Sequence, residues 1–162
     1  MFTQWKKIAA TLSTFTLLSA GAGTALAQDH VHSHDKEKSA QLSLNNGKKW
    51  ATDDNLRQGM SRIRDALTAE LPAIHSSKAS AAQYHALAKK VNEQVEFMVK
   101  NCKLDKDADA MIHLVITELI AGADAMAEKK DNKARQLGAE KIADALDNYG
   151  TYFEHLGWHG VK

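Results

Sequence analysis

Phe97-Met98-Val99-Lys100-Asn101-Cys102-Lys103-Leu104-Asp105-Lys106-Asp107-Ala108-Asp109-Ala110-Met111-Ile112-His113 reads as the end of one helix, a short polar turn and the start of the next. Apolar residues keep helical spacing on both sides of Lys103–Asp107, and nothing in the turn is long enough to lead to a different layer. A helical hairpin of this kind buries its apolar faces only against further helices, so the stretch points to an all-α bundle. It also holds the only cysteine, two of the five methionines and a histidine. Soft and borderline metal ligands therefore crowd the tip of one hairpin.

Outward from the hairpin the same periodicity continues. Upstream, Ser80-Ala81-Ala82-Gln83 has the form of a capping box and opens a helix with the stripe Tyr84, Leu87, Val91, Val95 and Met98, ending near Cys102. Before it, Thr52-Asp53-Asp54 starts a helix with Leu56, Met60, Ile63 and Leu67 on one face, running to near Glu70 or on through Pro72 with a kink. Downstream, Asp105 or Asp107 caps a helix whose run from Met111 to Ala123 is apolar over more than half its circumference and so needs cover on most sides. Lys129-Lys130-Asp131-Asn132 makes the last turn. The final helix is expected to carry Leu137, Ile142, Leu146, Tyr149, Phe153 and Leu156, with Gly157 as its stop. Four helices of similar length joined by short turns predict an antiparallel up-down-up-down four-helix bundle over residues 50–162.

The N-terminal part has a different character. Lys6 and Lys7, an apolar and hydroxyl-bearing stretch from Ile8 to Ala20, and Ala25-Leu26-Ala27 have the form of a cleavable signal peptide over residues 1–27. The stretch is too short and too polar to span a bilayer. The expectation is a protein exported to the bacterial periplasm, with no membrane span after cleavage. Cleavage removes two lysines and no acids, moving the formal charge from +1 to −1. Basic and acidic residues alternate throughout, which argues against a nucleic-acid partner. A single cysteine forms no internal disulfide, so Cys102 is a buried thiol, a ligand or a site of intermolecular pairing. Residues 28–49 read as a flexible tail with His30, His32 and His34, ending in the turn signal Asn45-Asn46-Gly47.

An exported bundle of about this length, with Met60 early in its first helix and His155 near the end of its last, resembles the cytochrome b562 family. Asp53-Asp54-Asn55-Leu56-Arg57-Gln58-Gly59-Met60 is similar to that family's first-helix opening, and Ala139-Glu140-Lys141-Ile142 through Asn148-Tyr149 to its last helix. The resemblance implies a haem b electron carrier with Met60 and His155 as axial ligands. In register with the Tyr149 region, however, the family's histidine would fall near Gly150, and His155 stands more than a turn later. There is no CxxCH for a covalent haem, and the bundle histidines lack the Glu-x-x-His spacing of di-iron bundles.

Up-down-up-down topology brings the start of helices 1 and 3 and the end of helices 2 and 4 to one end. Met60, Met98, Cys102, His113, His155 and His159 are thereby expected near that end, with Met60 and Met98 on core stripes and His113 facing the core. Thioether, thiolate and imidazole together suit copper(I); thiolate with imidazole also suits zinc. Gln28-Asp29-His30, if freed by cleavage, has the amine-x-x-His arrangement for copper(II) or nickel(II), with His32 and His34 adding capacity. Trp158 and His159 are expected to fold back over the cluster, whereas His75 and His85 belong to the opposite end. No nucleophile and base pair, carboxylate dyad or phosphate-cradling glycine loop is present, so no catalysis is expected. The sequence thus points first to a periplasmic metal-binding protein, most simply for copper, that sequesters or transfers the ion. A haem b carrier and a non-catalytic adaptor with an envelope protein partner stand as alternatives.

Overall fold

The structure, a computed structural model, describes residues 41–128 and 131–161. The expected signal peptide, the Gln28-Asp29-His30 motif and the histidines at 30, 32 and 34 lie outside the described residues. Four helices follow in order: α1 (Asp54–His75), α2 (Ala81–Asn101), α3 (Lys106–Ala127) and α4 (Asn132–Tyr152). They form the antiparallel bundle expected from the sequence.

Each start has a local cause. The Asp53 carboxylate caps α1 by accepting from Leu56 N at 2.7 Å. Ser80 and Gln83 close a reciprocal capping box on α2, and Asp131 caps α4 through Ala134 N at 2.8 Å. Asp105 occupies the same place on α3, but its side chain makes no capping bond. Pro72 does not end α1. It stands in the last turn, where only one ladder bond is lost, and Ser76 Oγ donates to its carbonyl at 2.8 Å.

The core runs the length of the bundle. Leu56, Met60, Ile63 and Leu67 of α1 meet Leu87, Val91 and Met98 of α2, Ile112, Leu119 and Met126 of α3, and Ile142, Leu146 and Tyr149 of α4. Helices α3 and α4 come closest where Gly122 and Gly138 face each other. A Cβ on either would stand 2.7 Å from the carbonyl oxygen of the other. Among the described residues, α3 is the one helix long and apolar enough to cross a membrane by length and composition; here its apolar stripe forms part of the core.

Four sequence expectations need correction. Leu137, placed on the buried stripe of the last helix, is 55% exposed. The buried face is instead Arg135, Gly138, Ala139, Ile142, Ala145, Leu146 and Tyr149, small where α3 approaches. Leu156 is 98% exposed and lies beyond the helix, because the chain turns extended at Phe153 and pairs with Trp50. Trp50 N donates to Tyr152 O at 2.8 Å and Glu154 N to Trp50 O at 2.9 Å. Gly157 (φ +76°) therefore serves a later turn, in which Trp158 N donates to His155 O, and does not stop α4. Finally, residues 41–49 of the expected tail are held on the bundle. Asn46 (φ +51°) and Gly47 (φ +82°) make the predicted turn, Trp50 Nε1 donates to Ser43 O at 2.6 Å, and Lys49 Nζ to Gly150 O at 2.5 Å.

Candidate metal centre

The gathering of four helix termini at one end is visible in its hydrogen bonds. Asn55 Nδ2 of α1 donates to Asn101 O at the end of α2. Asp53 accepts from Lys103 N, in the α2–α3 turn, at 2.6 Å. Between α2 and α3 near this end lies a cleft of about 50 Å³ lined by Leu56, Met98, Val99, Cys102, Asp109, Ile112, His113 and Ile116. That is room for an ion with one or two waters. Three of the sequence-predicted ligands, Met98, Cys102 and His113, thus share one wall-to-wall space.

Each has a distinct environment. Met98 is buried, and its sulfur rests on the α1 backbone at Gly59. Cys102 is half-buried and ends α2, its amide donating to Met98 O at 2.9 Å. Burial pushes its thiol up to about 12, reinforced by the Asp53 carboxylate, to which the thiol donates, and by Asp109. For Asp53 itself burial acts upward, but the amides of Leu56 and Lys103, the Cys102 thiol and Arg57 together hold its carboxyl below the ordinary value. This end of the bundle thus pairs a protonated thiol with an ionised carboxylate.

His113 does not face the core as expected. Its side chain is 58% exposed, because its position on α3 lies at the outer edge of the α2–α3 seam, beside Ile112 and Ile116, which do point inward. Its Nδ1 sits 2.8 Å from Asp109 O and 3.5 Å from the Asp109 carboxylate. A carbonyl oxygen only accepts, so it is Nδ1–H that donates to Asp109 O. Asp109, which the sequence reading did not single out, was legible as the residue four before His113 on the same helix face.

The remaining candidates are placed elsewhere. Met60 has no exposed surface and is enclosed in the core; a haem reaching it would have to open that packing. His155 belongs to an aromatic cluster: its Nδ1 is 2.9 Å from Tyr149 OH, and its ring lies 5.0 Å from that of Trp158. Burial, then Arg57 and Arg64, lower its pKa. Burial raises that of Tyr149, with Arg57 opposing and Cys102 and Asp53 adding. Trp158 folds back, but against Tyr149 and under the Arg64 guanidinium at 5.1 Å, and it does not line the cleft of Met98, Cys102 and His113 that it was expected to cover. His159, His75 and His85 are exposed. Among the described residues, no three His, Cys, Asp or Glu side chains gather closely enough to hold a metal ion.

Compared with family models, curated proteins and solved structures, the chain finds no match. Any functional reading thus rests on the residues and their geometry.

Proposed function

We propose that this protein is a non-enzymatic, exported copper-binding protein that takes up one copper(I) ion in the α2–α3 cleft through Met98, Cys102 and His113. The observation that carries the reading is the cleft itself, where the side chains of Met98, Cys102 and His113 line about 50 Å³ at the bundle end. Two sulfurs and one nitrogen suit a soft monovalent ion better than zinc, which favours closed sets of thiolate and imidazole. The exposed imidazole is the group an arriving ion meets first. Binding then replaces the S–H bond of Cys102 by an S–Cu bond and releases one proton, while Asp53 and Asp109 offset the positive charge of the ion.

The test uses the full chain with His30, His32 and His34 changed to Asn, which silences the tail. Titration with copper(I) against a chromogenic chelator is expected to show near-stoichiometric binding. The Cys102→Ala/His113→Ala variant is expected to bind at least about tenfold more weakly. Equal affinity in that variant would remove the cleft from consideration.

A further inference from the structure

A glycine inside a helix gives up about 1 kcal/mol relative to alanine. Gly59 stands buried in the second turn of α1 and takes that cost. Its φ is that of an ordinary helix, so no backbone conformation demands glycine there. The demand comes from across the seam: a Cβ at position 59 would stand 2.6 Å from Met98 Sδ and closer still to Met98 Cγ, with Gln94 O at 3.6 Å. The missing side chain thus leaves a slot on the α1 backbone that the Met98 thioether fills.

Methionine has three rotatable bonds and ordinarily adapts its shape to the space given. Seated in this slot, the thioether belongs to a side chain that also lines the Cys102 and His113 cleft. Of the three proposed ligands, the thioether is the one that distinguishes copper(I) from zinc, because a neutral soft sulfur contributes little to a zinc site. We infer that Gly59 is a specificity-positioning residue, which by seating the Met98 thioether makes the cleft select a soft monovalent ion over zinc. The inference rests on the copper reading of the cleft.

Its test compares wild type, Met98→Leu, Gly59→Ala and the double variant, all as the full chain with the tail histidines changed to Asn. Copper(I) and zinc(II) are titrated separately, with folding checked by circular dichroism. Both single variants are expected to lose about tenfold or more in copper(I) affinity, to leave zinc affinity within twofold, and to show no further loss when combined. Wild-type copper affinity in Gly59→Ala, beside a weakened Met98→Leu, would overturn the inference and leave the copper cleft standing. Undiminished copper binding by Cys102→Ala/His113→Ala would overturn the copper reading, and the inference with it. A measurement independent of whether Gly59→Ala folds is the X-ray absorption of the copper-loaded wild-type chain. Two sulfurs and one nitrogen are expected; a single sulfur overturns the role given to Met98 and Gly59.

Discussion

Asp53 is the residue on which the bundle end depends most, and its removal has a calculable cost. One carboxylate oxygen caps α1 through Leu56 N at 2.7 Å, and the other holds the α2–α3 turn through Lys103 N at 2.6 Å, fifty positions away in sequence. Loss of an N-cap costs about 1 kcal/mol, and loss of a second bond to a charged acceptor about 1.5–3 kcal/mol. Because the residue is only half-buried, the lower part of that range applies. Asp53→Ala is therefore expected to lower the unfolding free energy by about 2–3 kcal/mol. Asparagine caps as well as aspartate, so Asp53→Asn recovers roughly 1 kcal/mol of this.

Urea denaturation followed by helical circular dichroism measures it, with a midpoint lowered by about 1 M at unchanged slope. The pH dependence has a definite sign. The Asp53 carboxyl is held below its ordinary value, so its contribution is present above about pH 4 and is lost as pH falls through the folded-state value. The gap between wild type and Asp53→Ala should accordingly narrow in acid. The same carboxylate helps keep Cys102 protonated, so Asp53→Asn should speed thiol alkylation at pH 8 while keeping the cap. A loss below 0.5 kcal/mol in Asp53→Ala, or a gap that widens below pH 4, would refute the reasoning.

Other consequences can be checked as directly. With its thiol pushed up to about 12, Cys102 of the metal-free native protein should react with iodoacetamide at pH 8 at least about a hundredfold more slowly than free cysteine, and at the ordinary rate once unfolded in urea. Gly122→Ala and Gly138→Ala each place a methyl 2.7 Å from a carbonyl of the facing helix. Each is expected to cost about 1–3 kcal/mol, read as a lowered melting temperature, with the double variant less than additive because both act on one contact. His155 has a lowered pKa, so the unfolded chain binds its proton more readily. Stability should fall as pH drops below about 6.5, and His155→Gln should flatten that slope in denaturation midpoints measured between pH 7 and 5.

The bundle was legible in the sequence because its helices announce themselves by period and, at α1 and α2, also by cap. Asp53 and Ser80 stand in helix starts read from the sequence and cap α1 and α2, whereas Asp131, read only as part of a turn, caps α4, and Asp105, expected to cap α3, makes no capping bond. Helix α4 was harder for a physical reason. Its closest packing, at Gly138 against Gly122, relies on residues too small to carry a hydrophobic signal. A stripe drawn through the large residues instead included Leu137, one step round the helix from the true face. Residues 41–49 hid their order in the same way, since what holds them is their own Asn45–Lys48 turn, one leucine, Leu42, packed on the core, and side-chain bonds to carbonyls from Lys49 and Trp50. Composition does not report such bonds.

For the candidate site, depth and azimuth were unequally legible. A rise of 1.5 Å per residue places Met60, Met98, Cys102 and His113 at one end of the bundle whatever their helical phase. Which of them share a space depends on phase, and a residue step turns the helix by 100°. Ile112 faces the core while His113, one step on, lies 58% exposed at the seam; Met60 points wholly into the core, away from any cleft wall. That difference has chemical weight on the copper reading. A core-facing imidazole beside a buried thiol would make a closed site that an ion leaves only when the bundle opens. An imidazole at the seam would leave a bound ion open to an incoming ligand on the His113 side, and Cys102, whose thiol is protonated without the ion, would take up a proton on release. On the proposed copper function such an arrangement would favour transfer over storage, and the difference would follow from a single step of helical phase at position 113.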